Sequence, residues 1–356
     1  MNAPFAHTTS GSGLSVRIAN LREPDEIARV EAYVASNGGS VFQRPAWLTA
    51  MEAGTGQWAC GLVAEHGDEL MGWLPLSEIH SPIFGRALIS SGFAVGGGIL
   101  AGKQTTALAL AEAACEMSVR LGCATVELRG GPLPRGWQIS RDSHCGFVAD
   151  LAGDDEAQLL AIPRKQRAEI RKGLKQDLTV HIGTSPRDRT DHYTVYAESV
   201  RNLGTPVFPR SLFDAALDNL DSDILTIRHR GRAVASVLSF YHEGAVLPYW
   251  GGGSIAARSL RANDRMYFEL MLHARKRGCD KFDFGRSKAG SGAHHFKKNW
   301  GFAPEPLSYG SWTAPGAAAR DADPTSAKHA ARIALWKRLP LPIANFLGPF
   351  IARGLG

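Results

Sequence analysis

The apolar and polar positions of the chain fall into two successive runs of the same order. LSVRIANL, residues 14–21, alternates as a strand does, and Pro24 to Ser36 then moves to helical spacing. WACGLVAEHGDELMGWLPLSEIH, residues 58–80, holds two alternating runs around the turn signal His66-Gly67-Asp68, the pattern of antiparallel neighbours. A glycine-rich segment, GFAVGGGILAG, leads into the helix-forming TTALALAEAACEMSVRLG, and the short strand ATVELRG follows. The second half repeats this order. DILTIRHRGRAVASVLSFYHEGAVLPYWGGG reads as a strand meander, SLRANDRMYFELMLHARKRG as a helix and KFDFGRS as a strand.

The junctions of the two halves also match. Gly122-Cys123 followed by Val126-Glu127-Leu128 corresponds, at one constant offset, to Gly278-Cys279 followed by Phe282-Asp283-Phe284. Such a long-period duplication implies two copies of one α/β unit with mixed sheets. A length of 356 residues agrees, being long for one core and comfortable for two. The pattern places a disordered tail at 1–13, the first domain at 14–152, the second at 153–312 and a basic tail at 313–356.

Between the halves lies IPRKQRAEIRKGLKQDLTVHIG, residues 162–183. On a helix Arg164, Arg167, Arg171 and Lys175 share one face, with Ile170 and Leu174 as a narrow apolar stripe beside it. Only Glu169 balances the six cations between Arg164 and Lys175. Two readings stay open: a solvated helix face, or a phosphate clamp built from Arg164, Lys165, Arg167, Arg171 and Lys172. The net charge of +6 leans toward an anionic partner, while 44% hydrophobic and 21% charged residues exclude a disordered or membrane-spanning chain. The five cysteines form no C-x-x-C pair and read as free thiols of a reducing compartment. The N-terminus lacks the basic and apolar regions of a secretory signal, and no run approaches the ~20 apolar residues of a spanning helix. The expected location is the cytoplasm.

Candidate chemistry concentrates in FDFGRSKAGSGAHHFKKNWGF, residues 282–302. Gly285 and Gly290 have the glycine spacing of a nucleotide P-loop, but Ser291-Gly292 follows where a lysine and a hydroxyl residue are required. A dinucleotide fingerprint is also missing, and the residues after Gly292 do not read as the amphipathic helix it would open. What remains is cations on a pliable backbone. Arg286, Lys288, Lys297 and Lys298 would engage phosphate or carboxylate, while Gly285, Gly290 and Gly292 let backbone N–H groups approach a ligand. Asp283, between Phe282 and Phe284, points away from the face those rings take. Tyr249 reads either as a proton donor or as packing, and Gly251, Gly252 and Gly253 would splay a sheet and free N–H groups for an oxyanion. His294 and His295 have no acidic or thiol partner at ligand spacing, so no metal is expected.

These residues carry a resemblance. RKQRAEIRKGLK, GTPVFPRSLF, YWGGG, RANDRMYFELM and FDFGRSKAGSGAHHFKKNWGFAPEPLSY together resemble the FemAB-like proteins associated with exosortase (PEP-CTERM) and exopolysaccharide systems. Those proteins are similar to the Fem aminoacyltransferases of peptidoglycan synthesis and to a GNAT-type acetyltransferase domain. The resemblance covers nearly the whole chain and implies two tandem GNAT-like domains. It implies an acyl donor, acyl-CoA or aminoacyl-tRNA, and no tightly bound cofactor. Where GNAT enzymes carry a glycine loop for the coenzyme A pyrophosphate, this chain has Arg258, Arg261, Asn263 and Asp264, without the glycines.

Acyl transfer needs a deprotonated nucleophile, donors aimed at the tetrahedral oxyanion and a proton for the leaving group. Lys297, or N–H groups near Gly251 and Gly252, would hold the oxyanion, and Asp283 or Tyr249 would move the proton. Arg286 and Lys288 would position an anionic donor, with Ser287, Gly290, Lys298, Trp300, Arg258 and Asn263 completing the binding set. The expected acceptor is a saccharide or lipid-linked envelope precursor, and DNA is not an expected partner. The C-terminal AKHAARIALWKRLPLPIANFLGPFIARGLG mixes cations with Trp336, Leu339, Phe346 and Phe350, as segments on anionic membranes do. That would place the protein at the inner face of the cytoplasmic membrane. Two other classes stay open: a non-catalytic envelope-assembly protein, and an RNA-binding module, for which no recognisable motif is present.

Overall fold

A computed structural model describes residues 6–8, 13–318, 320 and 330–356, without side chains for 6–8 and 330–332. The chain forms two compact units: Met1–Arg141 with Ser308–Asp323 and Phe350–Gly356, and Asp142–Leu307 with Pro324–Pro349, over their described residues. The sequence reading puts a single boundary at 152. Instead Val148–Asp150 already belongs to the second unit's sheet, and Tyr309–Thr313 returns to the first.

The first unit begins with β1 (Ala6–Thr8) and β2 (Leu14–Ile18), then α1 (Pro24–Ser36) and α2 (Pro45–Thr55). β1 corrects the expectation of a disordered 1–13: Ala6–Thr8 pairs antiparallel with Ser15–Arg17. Next come β3 (Trp58–Ala59), β4 (Leu62–His66), β5 (Glu69–Leu74), β6 (Leu76–Ser81), β7 (Gly85–Ser90) and β8 (Leu100–Ala101). α3 (Gln104–Arg120), β9 (Thr125–Arg129) and β10 (Gln138–Ser140) complete its continuous part. The expected hairpin is β4–β5, turning at Gly67 with φ +60°, a conformation glycine adopts without strain. One sheet runs β1-β2-β4-β5-β8, and the other has β10, the returning Tyr309–Thr313, then β9-β7-β6-β3. Leu62, Leu74, Leu88, Leu110 and Val126 are fully buried in the core beneath α3.

The second unit holds β11 (His144–Gly146), β12 (Val148–Asp150), α4 (Asp155–Ala161), α5 (Arg164–Leu174), β13 (Leu178–Gly183), α6 (Pro186–Leu203) and α7 (Arg210–Asn219). The meander is β14 (Ser222–His229), β15 (Arg232–His242) and β16 (Ala245–Gly253), followed by α8 (Ile255–Leu260), α9 (Ala262–Lys276) and β17 (Lys281–Asp283). β18 (Ser287–Lys288), α10 (Gly292–Asn299) and β19 (Glu305–Pro306) follow; Tyr309–Thr313 is β20, and α11 (Ala330–Trp336) and α12 (Leu341–Ala352) end the described chain. The main sheet runs β12-β17-β16-β15-β14-β13, and β18-β11-β19 form a small second sheet. Successive strand residues face opposite sides, and here they find different helices. A side chain on Gly251 would meet Tyr267 of α9, whereas one on Gly252 would collide with Ser199 of α6. The sheet is therefore sandwiched.

α10 is a second correction. Ser291 caps it, its Oγ accepting the His294 N–H at 3.2 Å, so a helix begins where the sequence reading expected none. The pattern is short, and the residue that closes it inward is the lysine Lys297.

The duplicated Gly-Cys junctions have one local cause. Gly122 and Gly278 follow α3 and α9 with φ of +67° and +86°. The next N–H reaches back five residues, Cys123 to Ser118 O at 2.8 Å and Cys279 to Ala274 O at 3.0 Å. This is a Schellman helix stop, which needs the left-handed glycine. In both units the stopped helix feeds a strand that pairs parallel with an earlier strand of that unit, β9 with β7 and β17 with β16.

Candidate functional site

β16 and β17 pair only through Ala245–Lys281 and Val246–Phe282. Beyond that point they diverge: β16 continues to Gly253 against β15, while β17 continues against β12. Pro248, which has no N–H to give a ladder, lies just past the divergence, where a bulge also interrupts the pairing with β15. Ser254 N–H donates to Val234 O at 2.8 Å. Hydrogen-bonded and open pairs alternate along an antiparallel ladder, so Gly252 bonds to β15 while the peptide groups of Gly251 and Gly253 point toward the split. Of the two glycines expected to supply oxyanion donors, Gly251 thus turns its peptide group to the split and Gly252 does not, while Gly253 does.

The loop after β17 forms the facing wall. Gly285, at φ +66°, lies where the register slips by one residue between Asp283–Val148 and Ser287–Cys145, and its N–H donates to Asp283 Oδ1 at 2.8 Å. Lys297 is 9% exposed, and its ammonium donates to Arg286 O at 2.9 Å and Gly285 O at 3.2 Å. The rings of Phe147 and Phe284 lie 5.3 and 5.7 Å from its Nζ. Burial lowers the Lys297 pKa from 10.5 to about 8, against an opposing pull from Asp283. Burial likewise raises the Asp283 carboxyl, against the Gly285 N–H and the lysine charge. Two of the three ammonium N–H bonds are committed to carbonyls, leaving one to give.

Tyr267 of α9 links the two walls. Its hydroxyl lies 3.1 Å from where a Gly251 side chain would begin, and its ring packs against Phe284 at 4.8 Å and Trp300 at 6.1 Å between centroids. Burial pushes its pKa up to about 12. No motif in the sequence marks Tyr267, although helical spacing puts it one turn beyond the candidate Asn263. Ser287 Oγ and His294 Nδ1 around the same loop are buried and make no hydrogen bond within the chain, so a substrate or solvent would satisfy them; Trp300 Nε1 behind them is unbonded too.

The remaining expected residues separate. Trp300 is 2% exposed among Tyr267, Phe284 and Phe296, so it is core and cannot stack on a substrate. Tyr249 is half-buried and packs on Phe240 and Trp250. Arg286 and Lys288 are half-buried, Ser287 is buried, and Gly290 and Lys298 are exposed at the rim. On α5, Arg164, Lys165, Arg171 and Lys172 are exposed, while half-buried Arg167 reaches Leu160 O at 3.4 Å. The inward face of that helix is Gln166, Ile170 and Gly173; Leu174, expected in the apolar stripe, is 37% exposed because Gly173 brings α5 close to Arg261 instead. Among the described residues no cluster of metal ligands exists.

Where GNAT enzymes have a glycine loop, α8 stands. Arg258 is exposed on it, and its first N–H, from Ile255, is taken by Glu198 at 3.0 Å. Asn263 folds over Gly253, with its Oδ1 buried and unbonded. Asp264 sits in the first turn of α9, bonded by Gln166 at 2.6 Å, and burial raises its pKa. Carboxylates thus stand at the start of both α8 and α9.

The corresponding split in the first unit is sealed. Arg129 N–H donates to Ser90 Oγ at 2.7 Å, Gly98 N–H to Arg129 O at 3.0 Å, and Arg129 Nη1 to Ala94 O at 2.7 Å. The glycine-rich segment fills the gap with its own backbone, close enough that a Gly98 side chain would overlap Gly130 O. Gly98→Ala should therefore cost ~1–3 kcal/mol, read as a lower urea midpoint.

With this geometry in view, residues 164–298 match the family model of an acetyltransferase (GNAT) domain. The matched residues all lie in the second unit. The match runs from α5 into α10 and so includes both walls of the split. No curated protein matches the chain. Among solved structures, it is similar to FemX at 14% identity and TM-score 0.61, covering 80% of this chain and 95% of that one. The C-terminal domain of a putative lysylphosphatidylglycerol synthetase from Agrobacterium fabrum aligns at 16% identity and TM-score 0.56, covering 81% and 91%. A tandem GNAT protein of clavulanic acid biosynthesis aligns at 11% identity and TM-score 0.57, covering 86% and 100%. At these identities the likeness is one of fold, and it agrees with the expected tandem GNAT-like architecture.

Proposed function

We propose that the GNAT domain transfers an aminoacyl group from aminoacyl-tRNA to an amine or hydroxyl of an envelope or exopolysaccharide precursor. The observation that carries this reading is the split between β16 and β17 with the Lys297 ammonium fixed on one wall. A polarised acyl carbonyl placed there would meet one preorganised N–H of Lys297 and the N–H groups of Gly251 or Gly253. The attacking amine would pass its proton to Asp283, and the Tyr267 hydroxyl, near Gly251, would protonate the leaving oxygen. The first-turn carboxylate of α9 and the Glu198 contact at α8 disfavour a coenzyme A pyrophosphate, while the exposed cations of α5 suit an RNA backbone. The similarity to FemX and to a putative lysylphosphatidylglycerol synthetase supports an aminoacyl donor, and the resemblance to exosortase-associated proteins supports an envelope acceptor.

The test is a binding titration of the purified protein, followed by tryptophan fluorescence, against charged tRNA, uncharged tRNA and acetyl-CoA. Salt-sensitive preference for charged tRNA is expected. Saturable acetyl-CoA binding with no tRNA preference would replace the donor, and binding of neither would remove the acyl-transfer reading.

A further inference from the structure

α12 is amphipathic in an unusual sense. Ala344 and Ala352 are 1% and 0% exposed, and Gly348 lies between them against the backbone of Val207, so small residues form the packed side. The large apolar residues face out: Ile343 is 47% exposed, Phe346 70%, Leu347 40% and Phe350 60%. Their spacing of i, i+3, i+4 and i+7 makes one continuous stripe. Leu335, at the end of α11, is 65% exposed as well. Isolated exposed apolar residues need no explanation, but a stripe along one helix marks an interaction surface.

The charges identify what meets it. Exposed Lys337 and Arg338 precede the helix and exposed Arg353 follows it, with the Arg353 guanidinium 5.8 Å from the Phe350 ring centre. The sequence has no acidic residue after Asp323. A second copy packed antiparallel on the stripe would set these cations against their counterparts. An anionic bilayer surface instead pairs with the cations at both ends while the stripe enters the headgroup–acyl boundary. Among the described residues no helix is long and apolar enough to cross a membrane, so the contact would lie in the interface plane.

We propose that α12 is an interfacial membrane anchor, docking the protein on anionic lipid through Ile343, Phe346, Leu347 and Phe350. The contact does not depend on acyl transfer and is read without turnover. The experiment is co-sedimentation of the full chain with phosphatidylcholine vesicles, with and without phosphatidylglycerol. Two variants accompany it, Phe346→Ser/Phe350→Ser and Lys337→Glu/Arg338→Glu, with circular dichroism to verify that each folds. The wild type should bind only the anionic vesicles, the serine variant should lose that binding, and the charge variant should weaken it by ~10-fold or more. Equal binding by wild type and serine variant, or no binding to anionic vesicles, would overturn the proposal. So would a concentration-dependent dimer that the serine variant abolishes, which would make a second copy the occupant.

Discussion

Lys297→Ala is expected to lower the turnover of acyl transfer by ~10²-fold or more, the usual cost of losing one oxyanion donor, with a smaller change in KM. The same residue should impose a pH limit. Its ammonium, held near a pKa of about 8, is charged below that pH and neutral above it. Turnover that depends on the cation therefore falls as pH rises through about 8, and Lys297→Arg, which stays charged, should move that limb out of the measurable range. Folding stability responds with the opposite sign. Between about 8 and the ordinary 10.5, the unfolded chain binds the proton that the folded one has released, so this lysine's contribution to stability rises with pH across that window. Lys297→Met should remove that rise. A turnover profile without the limb near pH 8 would take the cation out of the mechanism and leave it as a cap on the Gly285 and Arg286 carbonyls.

The fold was largely legible because its signals are local and physical. The two Gly-Cys junctions expose the duplication because each is a helix stop that tolerates few other residues, and the β4–β5 and β14–β16 meanders stand out as strand runs broken at short turns. The split itself was half legible. Three glycines after Trp250 announce close approach, and the structure shows Tyr267, Ser199 and Asn263 as the groups approaching. Which N–H groups face the split depends on ladder register, which one strand's residues do not contain; hence Gly252 in place of Gly253. In the sequence Lys297 stands out as a cation of a basic loop, but its burial comes from α10 folding back over Phe147 and Phe284, and Phe147 lies far away in sequence. The sealing of the first unit's split is likewise a matter of backbone packing at Gly98 and Gly130. A glycine run reads the same whether it admits a ligand or excludes one.

Trp300→Ala is expected to destabilise the second unit by ~3–5 kcal/mol, the range for removing a buried aromatic side chain. Against typical stabilities of ~5–15 kcal/mol this is severe, and it should appear as a large fall in the urea midpoint. The ring closes the helix stop of α10: Gly301, at φ +93°, follows it, and Phe302 N–H returns to Lys297 O at 3.4 Å. It also packs with Phe284, Phe296 and Tyr267, the rings that support Lys297 and the floor of the split. Because Nε1 bonds to nothing in the chain, Trp300→Phe forfeits ring volume but no hydrogen bond, and should cost far less than the alanine variant. The pair of variants separates core from contact surface. A tryptophan that stacked on substrate would give normal stability and a raised KM on truncation. One that supports the site from behind gives lost stability, and in Trp300→Phe a nearly normal KM, because the ring meets its neighbours and never the substrate.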